Sequence, residues 1–189
     1  MFFHPETLDV AAATLSVSGT IAGSARLKIS WLLSFLACII YFGLFYQKSL
    51  FFNAGIHFIY LPLSIIGLYL WKDKTPSTLK IESTPVPILT FIAGTCLFAF
   101  FYCKIHQHSW HYDFITSFLS INAFILMAFA QMECWLLWLT ADILYIHIYS
   151  TQGLPFSLLK SVMYCMIAFS SFIIWQKIYR KKVADDSSV

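Results

Sequence analysis

The feature that most limits what this chain can fold into is a succession of seven apolar stretches. They lie near residues 8–25, 30–47, 50–71, 86–103, 113–131, 134–150 and 155–175, separated by short polar breaks. Each approaches the roughly 20 residues that carry a helix across the hydrocarbon core of a bilayer. There every backbone N–H and C=O must be satisfied within the segment, so helix is the form such stretches take. Charged residues are only 11% of the chain, against about a quarter in soluble domains. The expectation is an all-α membrane protein of seven transmembrane helices, forming a single membrane domain over residues 1–189. The first stretch is rich in Ala, Ser, Gly and Thr, which suits close helix packing.

The opening residues, MFFHPETLDV, carry neither a basic n-region nor a small-residue cleavage site, so no leader is expected to be removed. Five cysteines (Cys38, Cys96, Cys103, Cys134 and Cys165) lie in or beside apolar segments without CxxC spacing, and read as small buried packing residues. The cations are distributed unevenly. With seven crossings, Arg26, Lys28, Lys72, Lys74, Lys80, Lys177, Arg180, Lys181 and Lys182 fall on one face, while Lys48 and Lys104 alone fall on the other; Lys160, inside the last stretch, is left out of the count. The positive-inside rule then puts the C-terminus in the cytoplasm and the N-terminus outside. The net charge of +3 therefore reports orientation, and no nucleic-acid partner is implied.

A shift of 104 positions lays the chain on itself without a gap. SWLLSFLACIIY (30–41) falls on CWLLWLTADILY (134–145), and Trp71 falls on Trp175. Fourteen identities accumulate over the 64 positions from Asp9 to Lys72, where about one in twelve follows from so biased a composition. The expected organisation is a parallel 3+1+3 repeat: a three-helix bundle at 8–72, a linking helix at 85–104, a second bundle at 113–178 and a cytoplasmic tail at 179–189. Repeats of this kind place a solute site between the bundles near mid-membrane, and this favours a carrier over an enzyme.

In the sixth stretch Gln131, Trp135, Trp138, Asp142, Tyr145 and Tyr149 follow spacings of 4, 3, 4, 3 and 4, which share one helical face. A carboxylate at membrane depth costs about 3 kcal/mol or more if it faces lipid, so Asp142 is expected to point into the bundle. Aromatic rings beside it suit a flat cationic heterocycle, held by stacking and cation–π attraction. The less favoured alternatives are an interfacial belt for Trp135 and Trp138 and a structural ion pair or hydrogen-bond network for Asp142. The first copy carries Leu27, Trp31, Ser34, Cys38, Tyr41 and Phe45 at these places, so the acid belongs to one half alone. Further polar groups at depth are His57 and Tyr60 in the third stretch, Ser117, Ser120 and Asn122 in the fifth, and His147 in the sixth. Of these His57 and Asn122 rank highest as ligand contacts, although polar side chains more often bridge helices. Candidate solute contacts are thus Gln131, Trp135, Trp138, Asp142, Tyr145, Asn122, His57, Trp31, Tyr41 and Tyr60. Pro62 is expected to kink the third helix.

The run KIHQHSWHYD holds His106, His108, His111 and Asp113, but no supporting cysteine accompanies it, and no metal or other cofactor is assigned. No phosphate-binding loop or nucleophile elbow occurs, and the acids are too scattered for a membrane hydrolase, so no catalytic residues are assigned.

The motif MECWLLWLTADILYIHIY (132–149), with its WxxW at Trp135 and Trp138 followed by Asp142, resembles the nicotinamide riboside transporter family of the PnuC type. Asp113, Ser120, Ala123 and LSIIGLYLW (63–71) extend the likeness over nearly the whole chain. The resemblance implies a fold akin to the SWEET sugar carriers in a bacterial inner membrane. It also implies facilitated diffusion of nicotinamide riboside, with retention by a downstream cytoplasmic kinase that acts on the solute. Trp135 and Trp138 would flank the solute, Gln131 would supply an amide, and Asp142 would hold a helix contact or the ligand. Where many members carry amides, this chain has His57, Cys134 and Phe124, so thiamine, another flat cation, is the main alternative; riboflavin and nucleosides are also carried on this scaffold. A homo-oligomer is compatible with the sequence.

Overall fold

The computed structural model describes residues 5–47, 51–83, 111–152 and 155–187. Six helices account for most of them: α1 (Pro5–Ser24), α2 (Ile29–Gln47), α3 (Phe51–Trp71), α4 (His111–Ala128), α5 (Cys134–Gln152) and α6 (Pro155–Asp186). The expected linking helix at 85–104 lies outside the described residues, as do Cys96, Cys103, His106 and His108. Within α2, α3 and α6 the stretches Ile29–Gln47, Ala54–Trp71 and Leu158–Asp186 are long and apolar enough to cross a bilayer, and Ile115–Ala128 and Cys134–His147 are shorter apolar helical stretches. Two boundaries differ from the sequence expectation. The segment from residue 179, expected as a tail, continues α6 as helix to Asp186, because its Lys, Arg and Ala residues are good helix formers. Gln131, expected on the helical stripe, precedes α5, which begins at Cys134.

The chain divides into two compact units, one of residues 1–80 with 128–130, the other of 81–127 with 131–189. In the first, α1 packs on α2 and α2 on α3. Ala12, Tyr41 and Leu44 form a buried cluster flanked by Leu8, Ile40 and Phe45. In lipid the packing itself must hold helices together, since tails are as apolar as leucine, and a fully buried alanine lets two backbones approach closely. α3 stays helical through Pro62, which leaves the Phe58 carbonyl without its helical donor. In the second unit α4 packs on α5 through Leu119 and Ala141, flanked by Ile115, Phe118, Leu137 and Leu144, and α5 packs on α6.

Several local devices occur twice, 104 residues apart. Trp31 meets Trp71 edge to face at 5.3 Å and 88°, and Trp135 meets Trp175 at 5.5 Å and 84°. All four indoles are buried. Arg26 and Ala130 are the non-glycine residues with positive φ among the described residues, at 60° and 54°. At the first, Leu27 N–H donates to Ala22 C=O and Arg26 N–H to Gly23 C=O, both at 2.9 Å. This is the Schellman pattern that satisfies a helix C-terminus. At the second, Gln131 N–H donates to Leu126 C=O at 2.9 Å. This turn ends α4 and explains why Gln131 stands off the α5 stripe.

A left-handed turn without glycine predicts an asymmetric mutational response. Ala130 is 3% exposed, so Ala130→Gly loses a buried methyl worth about 0.8 kcal/mol while relieving about 1–2 kcal/mol of left-handed strain. Thermal denaturation of the purified protein is expected to find it within about 1 kcal/mol of wild type. Ala130→Val places a β-branched side chain at positive φ and is expected to cost about 2 kcal/mol or more.

Candidate functional site

On α5 the expected stripe is split between two neighbours. Trp135 is wholly buried against Trp175 of α6. Its indole Nε1 has no hydrogen-bond partner among the described residues. One turn on, Trp138 is partly exposed and meets Phe124 of α4 edge to face at 6.5 Å and 80°. Asp142, 6% exposed, lies within electrostatic reach of Lys160 and Cys165 of α6. Tyr145 and His147 have partners, Tyr145 being partly buried and His147 exposed. Tyr149 is helical. The stripe therefore presents Trp135 and Asp142 to α6, and Trp138 to α4. A face about 80° wide can do both, because residues at spacings of 3 and 4 lie to either side of its centre.

Lys160 was not singled out from the sequence. It is the cation closest in kind to what Asp142 needs, since a carboxylate at membrane depth persists only when paired or hydrated. The signal was present: one lysine inside an apolar run, following an apolar run (134–150) that holds one acid. Position 56, its counterpart in the first unit, is Ile, and position 38, the counterpart of Asp142, is Cys. These two charges thus occur in the second unit alone. Cys38 and Cys134 are buried free thiols, and Cys165 is a partly buried one.

On α4, Asn122 donates from Nδ2 to the Phe118 carbonyl at 2.9 Å, a bond back onto its own helix that leaves its carbonyl oxygen as the group available to a ligand. Ser117 and Ser120 are buried. Before α5, the backbone near Gln131 pairs with Glu82 in a single parallel bridge, and Met132 N–H donates to Glu82 C=O at 3.1 Å. Ser83 donates its hydroxyl to Glu133 Oε1, and Lys182 pairs with Glu82 at 3.6 Å. Glu133 is a buried acid that the sequence reading passed over, because an acid at a helix start normally reads as a solvated dipole partner.

In the first unit His57 sits among three rings. Tyr41 stacks on it at 4.9 Å and 28°, Phe45 at 5.4 Å and 21°, and Tyr60 meets it edge-on at 5.8 Å and 86°. Tyr41 and Phe45 also stack on each other at 5.6 Å and 10°. Such pairs add about 0.5–1.5 kcal/mol each beyond area burial. Trp31 lies elsewhere, pressed between Trp71 and Gly67: a Cβ on Gly67 would collide with the Trp31 ring. Among the described residues no group of three or more potential metal-ligating side chains occurs.

The family model for the nicotinamide mononucleotide transporter matches residues 6–177. The chain belongs to that family. It is accordingly a multi-pass membrane transporter and not an enzyme, in agreement with the resemblance drawn from the WxxW motif. Among curated relatives, the nicotinamide riboside transporter PnuC of Haemophilus influenzae is 24% identical over 161 residues, covering 75% of this chain and 70% of that protein. Among solved structures, the crystal structure of the vitamin B3 transporter PnuC matches with a TM-score of 0.74 at 20% identity, over 92% of this chain and 82% of that one. At this identity the structural likeness concerns the fold.

Proposed function

We propose that the chain is a uniporter that lets nicotinamide riboside equilibrate across a bacterial inner membrane, using seven crossings arranged as a SWEET-like 3+1+3 repeat. The N-terminus lies outside and the C-terminus in the cytoplasm, a reading that the cation distribution supports. A cytoplasmic kinase retains the solute by phosphorylating it. The observation that carries the reading is Trp138: an indole held edge-on by Phe124 yet partly exposed, in a family of transporters for a planar pyridinium solute. A ring already braced by one aromatic neighbour and still partly exposed is prepared to stack on such a solute at little entropic cost. Tyr145, Asn122 and Gln131 are the neighbouring contacts. Trp135 and Asp142 hold the geometry of α5 and contribute at its edge. In the first half Tyr41, His57 and Tyr60 form an aromatic contact set, and Trp31 is a separate contact beside Trp71.

Uptake of labelled solute into proteoliposomes is the test. Nicotinamide riboside is expected to equilibrate faster than in empty vesicles, and Trp138→Ala is expected to reduce initial uptake at least about tenfold, the equivalent of losing about 1.4 kcal/mol of stacking. Trp138→Phe, which keeps a flat face, should retain part of it. Equal rates with and without protein for nicotinamide riboside and thiamine alike defeat the proposal. The departures at His57, Cys134 and Phe124 favour thiamine as the second reading, and uptake of thiamine with none of nicotinamide riboside would decide for it.

A further inference from the structure

We propose that the outer face of α6 is a docking site for the headgroup of an anionic phospholipid, formed by Lys177, Arg180 and Lys181. All three are exposed, and spacings of 3 and 4 put them on one side of the helix. That side continues inward as apolar surface: Leu159, Met166 and Ile174 are 59%, 61% and 46% exposed. In a membrane transporter such exposed apolar positions meet acyl chains. From Leu159 to Lys177 is eighteen residues by numbering, or about 27 Å at 1.5 Å per residue, close to the roughly 30 Å of a hydrocarbon core. A lipid in the leaflet on the Lys177 side, whose tails cover about half of that length beside Met166 and Ile174, therefore has its phosphate level with the three cations. One continuous strip of helix matches both chemical parts of one molecule.

Among the described residues no counterion pairs with these charges. The nearby carboxylate of Glu82 is taken by Lys182, which lies off this face, and none of the hydrogen bonds or ion pairs found among the described residues involves Lys177, Arg180 or Lys181. Asp185 has a partner of its own, and Asp186 ends the helix beyond it. The cations around α3 contrast with this. Arg26 donates to the Leu79 carbonyl, Lys28 to the Lys72 carbonyl, and Lys72 lies over the Tyr69 ring. Cations near an anionic surface contribute roughly 1 kcal/mol each, weakening as salt rises.

The experiment uses the full chain in phosphatidylcholine vesicles with and without phosphatidylglycerol. Lipid retained after detergent extraction is identified by mass spectrometry, and the thermal midpoint is measured in both vesicle types. Wild type should retain phosphatidylglycerol in preference to phosphatidylcholine and melt higher in its presence. The triple variant K177Q/R180Q/K181Q should lose that preference by roughly a hundredfold, while its midpoint in phosphatidylcholine alone stays at the wild-type value. K181Q alone should lose roughly fivefold, which keeps the test decisive if the triple variant folds poorly. K72Q/K74Q/K80Q removes as many charges elsewhere and should keep the preference. Equal loss in both triple variants, or no preference in wild type, overturns the proposal.

Discussion

Lys160→Met is expected to lower the stability of the protein by about 3 kcal/mol, because it orphans a carboxylate that is nearly out of contact with solvent. The asymmetry of burial decides which partner matters more. Asp142 is 6% exposed, whereas Lys160 is only partly buried, and a lysine stem can carry its ammonium toward the membrane interface when its partner is gone. Asp142→Asn is therefore expected to cost less, about 1 kcal/mol. The double variant Asp142→Asn with Lys160→Met removes both charges and should return to within about 1 kcal/mol of wild type, since a buried ion pair adds little net stability over neutral packing. Thermal midpoints of the four proteins in one detergent complete the cycle. Strictly additive losses would sink the idea that Asp142 and Lys160 are a pair. The same set separates support from solute contact: a carboxylate acting on the solute lowers uptake in Asp142→Asn even where the midpoint is restored by the double change.

Trp71→Ala should be about as costly as any large-to-small change in the first unit, about 3–5 kcal/mol. The indole is 1% exposed, braces Trp31 edge to face at 5.3 Å, and donates from Nε1 to the Ala128 carbonyl at 3.0 Å. Its removal leaves a cavity, a ring without its neighbour and a carbonyl without its donor, and the last alone costs about 1–3 kcal/mol when buried. Gly67→Ala attacks the same cluster from the opposite side. The added methyl meets the rigid Trp31 ring, and overpacking of this kind costs about 1–3 kcal/mol. Pairing Gly67→Ala with Trp31→Leu, which withdraws the ring, should recover part of the Gly67→Ala loss. Denaturation monitored by tryptophan fluorescence measures all three variants, and an unaffected midpoint in Trp71→Ala refutes the bracing role.

The two matching tryptophan pairs were legible because they are written in residues that packing cannot exchange. Trp31 with Trp71 and Trp135 with Trp175 recur at one offset, and the structure uses both pairs in the same edge-to-face contact. The matching turns at Arg26 and Ala130 were not legible. Glycine is what advertises a left-handed position, and neither turn has one there. The helix spans followed from apolar length alone, since a bilayer rewards little else. The continuation of α6 to Asp186 was missed because charged residues end a membrane span without ending a helix.

At the candidate site, the sequence by itself determined that Trp135, Trp138, Asp142 and Tyr145 share a face, because 3.6 residues per turn leaves them no choice. It also determined that the acid occurs in one half only. Tertiary structure alone decided how that face is divided, with Trp135 and Asp142 turned to α6 and Trp138 to α4. It decided too that Lys160 comes within electrostatic reach of Asp142, and that Tyr41, Phe45 and Tyr60 gather around His57. Periodicity fixes the direction of a side chain relative to its own helix axis. What waits in that direction depends on the rotation and position of the neighbouring helices, which are set by many weak contacts at once.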